Sequence, residues 1–161
     1  MGVFMSIDST PVARALSLMN IPHCLFHHAG PIESLEQAAR ERGQQPEQVV
    51  RSILLRLEKD KYIMVLVAGP AQISWQALPR YLGQSRLTMA KPEEILAVTG
   101  YAIGTVSPFG LPAPLRILID ENVLVQDELS MGSGEKGVGI IMRREDLMRA
   151  WGRLKPVALH K

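Results

Sequence analysis

Apolar residues fall into two rhythms along this chain. Behind Thr10 and Pro11, the residues Val12, Ala15, Leu16 and Met19 recur at helical spacing. Thr10 is the expected N-cap, and Pro11 takes the first helical position, where its missing N–H costs nothing. "IPHCLF" then reads as a short strand, and "IESLEQAARERG" as a second helix stopped by Gly43. "QPEQVV", which starts at Pro46 once the preceding glutamine is passed, reads as a third, short helix.

From Arg51 the rhythm changes. "RSILLRL" and "YIMVLVAG" are aliphatic and β-branched runs separated by the polar turn "EKDK", which predicts a hairpin. "SWQALPRYLG" reads as a helix whose later part Pro79 disturbs. "SRLTMA" is a short strand, and "KPEEILAVTG" a helix with Pro92, Glu93 and Glu94 in its first turn and Gly100 as its stop. Strands "LRILIDE", "NVLVQDEL" and "VGIIM" follow, and "RREDLMRAWG" closes as an amphipathic helix. Connections this short cannot carry parallel crossovers. The pattern predicts an α/β mixed (α+β) chain, with a largely antiparallel central sheet flanked by helices.

Composition narrows the class without changing it. With 161 residues, 47% of them apolar and 21% charged, the chain fits one globular domain over residues 1–161. A formal charge of +2 with scattered Lys and Arg permits phosphate contact but is not the clustered basic face of a dedicated nucleic-acid domain. Cys24, alone, excludes an internal disulfide. Residues 1–10 lack a signal-peptide pattern, and no apolar run approaches the ~20 residues that span a bilayer, so the expected location is cytoplasmic.

Several tempting constellations fail on spacing. His23 and His27 share a strand face but lie roughly 13 Å apart along an extended chain, too far for one metal ion. Cys24 between them points to the other face and reads as a small core residue. Ser107 and Asp120 could be drawn into a triad, but no G-x-S-x-G elbow exposes the serine. "GSGEKG" at 132–137 lacks the Lys-Ser/Thr ending of a phosphate loop and is followed by a strand, so a hairpin turn is the plainer reading. "GYAIGTVSPFGL" stands apart. Gly104 permits close backbone approach, Pro108 fixes φ, and the N–H groups between them can face a carbonyl or an oxyanion. On local grounds alone, a plain structural loop is the favoured reading of the stretch.

The stretches "TPVARALSLMNIPH", "EQAARERGQQPEQVVRSILL", "KPEEILAVTGYAIGTVSPFGLP", "RILIDENVL" and "GSGEKGVGI" occur in this order. In that order the chain resembles the YbaK/prolyl-tRNA synthetase-associated editing-domain family over roughly residues 9–150. "TGYAIGTVSPFG" carries the G-x-x-x-P loop and is the most specific part. The resemblance implies a barrel-like central sheet and a trans-editing aminoacyl-tRNA deacylase. Such an enzyme hydrolyses the ester of a wrong small amino acid, such as Cys or Ala on proline tRNA. A chain without synthetase modules is expected to act on released aminoacyl-tRNA.

The resemblance assigns catalysis to Arg51, Gly104 and Ser107, and substrate binding to Ser52, Thr105, Val106, Pro108, Gly132, Ser133 and Gly134. It implies no cofactor and no metal. The implied partners are the 3′ end of aminoacyl-tRNA and a synthetase, with no DNA and no membrane, in a monomer or homodimer. Two positions depart from the family: Arg51-Ser52 stands where Lys-Thr or Lys-Ser is usual, and Gly139 where an acidic residue is common. Those departures keep open a non-catalytic member that binds a tRNA end, a nucleotide or a synthetase.

Overall fold

Strand "KYIMVLVA" is apolar at nearly every position because it is covered on both faces, and the fold is arranged around it. The computed structural model describes residues 9–58, 60–152 and 155–161. Its elements run α1 (Pro11–Leu18), β1 (Cys24–His27), α2 (Leu35–Glu41), β2 (Val50–Glu58), β3 (Lys61–Ala68) and α3 (Ala77–Leu82). They continue β4 (Thr88–Met89), α4 (Pro92–Thr99), β5 (Arg116–Asp120), β6 (Glu128–Gly132), β7 (Val138–Arg143), α5 (Arg144–Trp151) and β8 (Pro156–Val157). The expected signal-free start before residue 9, and Lys59 of the "EKDK" turn, lie outside the described residues.

Two sheets result, in the orders β1-β7-β6 and β4-β2-β3-β5-β8. Pairs β1–β7, β6–β7, β2–β3 and β2–β4 are antiparallel, and a parallel bridge from Val49 to Ser130 joins the sheets. The architecture is the mixed, largely antiparallel one expected, with helices outside. Strands β3–β5 and β5–β8 are parallel, since α3, β4, α4 and the 100–115 loop carry the chain back before β5. Among the described residues the sheets do not close into a complete barrel.

Alternation along β3 sorts its side chains into two cores. Met64, Leu66 and Ala68 meet Val12, Leu16, Leu129, Met131, Ile140 and Leu147 between the sheets. Ile63, Val65 and Val67 pack on the other face with Ile73, Leu78 and Leu159. A small third cluster joins Leu54, Ala90 and Ile95 under α4, and Val106 packs against both this cluster and the first.

Local chemistry sets the ends. Thr10 accepts a hydrogen bond from Ala13 N–H at 3.1 Å, the expected cap of α1. Ser34 caps α2 in the same way, and Gly43 beyond its end takes φ +70°. Helix α3 begins only at Ala77, so Pro79 sits in the first turn, where it does not break the ladder. "QPEQVV" gives only a three-residue 3₁₀ turn at Pro46–Gln48 before β2 takes over. "NVLVQDEL" is not a continuous strand. Asp120 caps Asn122, whose side chain exchanges two hydrogen bonds with the backbone of Ala68, and this holds Glu121–Leu124 as a 3₁₀ turn. Only from Glu128 does that stretch become β6.

Candidate functional site

Loop 100–111 is held from outside by α1, α5 and the β6–β7 turn. Gly100 closes α4 in the left-handed region, and the Tyr101 hydroxyl donates to Phe109 O at 2.6 Å across the loop. Burial raises the Tyr101 phenol above its usual value, so it stays a donor. Phe109 stacks on Trp151 with ring centres 5.0 Å apart. Thr105 ties back to Ala102 O through its N–H and its hydroxyl. Gly134 N–H donates to Thr105 O at 2.9 Å, and Val12 N–H to Ser133 O at 3.2 Å. The Ser133 hydroxyl closes its own turn, donating to Val138 O and accepting from Glu135 N–H. Gly104–Pro108 and Gly132–Gly134 are thus neighbours in space.

The loop's polar groups divide sharply. Ser107 is fully buried, and its hydroxyl is directed inward, toward Met131 Sδ at 3.6 Å and Phe109 N–H at 3.3 Å. It is not presented as a nucleophile. By contrast, the N–H groups of Gly104, Val106 and Ser107 donate to no protein group among the described residues. Gly104 is exposed and Val106 part-buried, so their N–H groups stand open to solvent or a ligand. Ser107 is buried, where an N–H without a partner costs free energy comparable to a lost hydrogen bond, the signature of a group kept for something absent from the chain itself.

Ser52 repeats that signature. Its Oγ is buried and, among the described residues, has no hydrogen-bond partner. Along β2 it lies on the same face as Val50 and Leu54, whose clusters Val106 also joins. Arg51, its neighbour, therefore points to the opposite face. Arg51 Nε donates to Gly69 O at 2.8 Å and Nη2 to Ala71 O, which pins the turn after β3; burial pulls the guanidinium below its usual value. It makes no hydrogen bond to the Gly104–Pro108 loop.

Gly132 and Gly139 face each other across β6 and β7. A Cβ on Gly132 would meet Val106 O at 2.6 Å and Thr105 O at 2.7 Å. A Cβ on Gly139 would meet the Arg42 guanidinium at 2.5 Å. The Gly139 departure thus has a physical cause, because Arg42 fills the space. Arg42 ends α2, its Nε donating to His28 Nε2 at 3.1 Å and Nη1 to Ser130 Oγ at 2.9 Å. His28 Nδ1 meets Glu41 Oε1 at 2.7 Å, which draws the Glu41 carboxyl below the usual range. Ser130 in turn donates to Gln44 Oε1 at 2.7 Å, and Gln44 to Glu128. Sequence reasoning passed over this network entirely.

Other expectations resolve as follows. Asp120 is buried and accepts from Asn122 N–H, Leu159 N–H and His160 Nδ1, so it forms no triad with Ser107. Cys24 is exposed rather than in the core, since β1 is an edge strand. His23 Nδ1 bonds Ile21 O, and no cluster of three metal-ligating side chains occurs among the described residues. No helix among them is long and apolar enough to cross a membrane. An open cleft of about 400 Å³ runs from Pro108 along Leu111, Pro114, Leu115 and Ile117. A second cavity of about 340 Å³, between α5 and β5, includes Trp151 and shares no residue with Gly104–Pro108.

Residues 29–150 match the family described as Aminoacyl-tRNA editing domain. The proline–tRNA ligase of Thermosipho melanesiensis is 28% identical over 130 residues, which is 79% of this chain and 23% of the ligase. That of Kosmotoga olearia is 31% identical over 113 residues, 68% of this chain and 19% of the ligase. This chain spans less than a quarter of the length of either relative. A solved structure of a candidate trans-editing enzyme for prolyl tRNA synthetase superposes with a TM-score of 0.85 at 26% identity, covering 94% of this chain and 95% of that one.

Proposed function

The chain belongs to the aminoacyl-tRNA editing domain family, and we propose that it is a deacylase that acts in trans on mischarged tRNA. The substrate is a small amino acid, Cys or Ala, esterified to the terminal adenosine of proline tRNA. The observation that carries this reading is the set of unpartnered N–H groups at Gly104, Val106 and Ser107. Likeness to a candidate trans-editing enzyme over 94% of this chain supports action on released aminoacyl-tRNA.

In this reading the loop N–H groups donate to the ester carbonyl oxygen and stabilise the oxyanion as water adds to the carbonyl carbon. Collapse of that tetrahedral intermediate breaks the bond to the ribose oxygen, which leaves with a proton, and frees the amino acid. Thr105 and Pro108 hold the loop's curvature, while Gly132, Ser133 and Gly134 support it from behind. Ser52 Oγ offers a hydroxyl on the same face. Arg51 serves by fixing the turn at Gly69–Ala71 rather than by touching the ester. In this reading the family match over residues 29–150 marks one such domain.

A second reading, binding without turnover, draws on one observation. No titratable side chain hydrogen-bonds to Gly104–Pro108 among the described residues, so no general base stands ready there. Deacylation of a panel of mischarged proline tRNAs decides between the two. Acceleration over buffer for Ala or Cys supports editing; tRNA-end binding with no acceleration for any small amino acid supports the second reading and overturns the first.

A further inference from the structure

Arg42 is a charged side chain with no carboxylate in direct contact among the described residues. Its two protein partners through Nε and Nη1, His28 and Ser130, are neutral acceptors. Because Arg42 N–H donates to His28 Nε2, that nitrogen carries no proton, and the ring's proton sits on Nδ1 toward Glu41. The Glu41 carboxylate is occupied by His28 and Gln37, and no carboxylate lies within ion-pair distance of Arg42 among the described residues. Burial draws the guanidinium down from its usual value, and Glu41 only partly offsets this. A half-buried cation with neutral partners wants an anion.

Its free edge is placed for one. Nη2 has no hydrogen-bond partner among the described residues and lies over Gly139. Gly139 pairs directly with Gly132, over which the Thr105 and Val106 carbonyls lie. Directly paired residues put their substituents on one face of a ribbon, with Cα atoms about 4.5–5.5 Å apart. Neither glycine has a positive φ, so space and not backbone conformation excludes a side chain at both. The bare ribbon therefore seats the guanidinium and the loop side by side.

We propose that Arg42 is the phosphate contact of this site. Its Nη2 edge takes the phosphodiester immediately 5′ of the terminal nucleoside, the anion nearest the ester in an aminoacylated RNA end. The proposal rests on the editing reading for the identity of the ligand. Planar guanidinium donors match phosphate oxygens, and the bonds to His28 and Ser130 hold the fork in place before the ligand arrives.

Binding of cytidylyl-(3′→5′)-adenosine and of adenosine, followed by NMR titration, tests this without hydrolysis. Wild-type protein is expected to bind the dinucleotide about tenfold more tightly than adenosine, the size of one charge-assisted contact. Arg42→Gln should remove that difference and leave adenosine binding unchanged, in protein whose fold is verified by thermal melting. Gly139→Ala, which displaces the guanidinium without deleting it, should do the same and covers the case where Arg42→Gln does not fold. With mischarged tRNA, Arg42→Gln should raise KM with little change in kcat, while hydrolysis of a 3′-aminoacyl-adenosine stays at the wild-type rate. Equal wild-type affinity for both probes, or equal losses for both in the variants, overturns the proposal. Wild-type protein that hydrolyses neither ester sinks the editing reading, and the dinucleotide comparison still decides Arg42.

Discussion

Gly104 and Gly132 are glycines for different physical reasons, and the difference predicts different variants. Gly104 sits at φ +88° with nothing within 4 Å of where a Cβ would stand, so alanine there costs only backbone strain, about 1–2 kcal/mol. Gly132 has ordinary φ but would drive a methyl into the carbonyls of Thr105 and Val106, a backbone clash that costs about 1–3 kcal/mol and pushes the loop outward. Gly104→Ala should therefore melt only slightly below wild type and, on the proposed editing reading, lose deacylation, because the methyl would enter the space that reading gives to the ester. Gly132→Ala should lose both. Thermal melts with single-turnover hydrolysis check the pair, and full activity in Gly104→Ala would move the ester elsewhere. Gly104 was legible from its neighbours in "GTVSP". Arg42 was not, because its partners lie 14 and 88 residues away, and nothing local marks "RERG" as more than a solvated helix end.

At the level of elements, strong local signals survived folding. Thr10 with Pro11, and Pro92 with Gly100, bound their helices as read, and the hairpin β2–β3 follows from two apolar runs around a polar turn. What failed was the "NVLVQDEL" strand, because the competing interaction is tertiary: Asn122 binds the backbone of Ala68, 54 residues away. Tyr62 on β3 and Glu94 on α4 make another such long-range link. The Tyr62 hydroxyl donates to Glu94 Oε2 at 2.5 Å, and Glu94 Oε1 accepts from Lys91 N–H at 2.9 Å. The bond holds Glu94 below the usual carboxylate range and Tyr62 above the usual phenol range. A carboxylate lowered in the folded state stabilises above its unfolded pKa and loses that contribution as pH falls through the folded one; a raised phenol stabilises below its unfolded pKa and loses it as pH rises through the folded one. Tyr62→Phe should therefore lower the melting temperature at neutral pH. The gap to wild type should close as pH drops through the lowered Glu94 value. A gap that stayed constant down to about pH 2 would mean the bond is not coupled to Glu94 ionisation.

Across the whole molecule, the distribution of charge limits how RNA can be held. The formal charge is +2, and among the described residues five of the chain's 18 Lys and Arg side chains pair with carboxylates: Arg56 with Glu94, Lys61 with Glu58, Arg143 with Glu145, Arg144 with Asp127 and Arg149 with Asp146. Arg51 is committed to two carbonyls. With a low net charge and the remaining cations scattered along the chain, few phosphate contacts are expected at one RNA end, and each contact to a single strand steepens the fall of log affinity with log salt by about 0.7. With two or three contacts, tRNA affinity should drop about tenfold between 50 and 200 mM salt. On the editing reading, the aminoacyl group and the loop then supply most of the discrimination, which suits a site whose proposed donors are backbone N–H groups insensitive to salt. If Arg42 holds the terminal phosphodiester, Arg42→Gln should flatten that slope by about 0.7, whereas Arg143→Gln, at an exposed ion pair, should leave it unchanged. Filter binding across a salt series measures both. A wild-type slope near zero would deny phosphate contacts altogether, and an unaltered slope in Arg42→Gln would place the phosphate contacts on other cations of the surface.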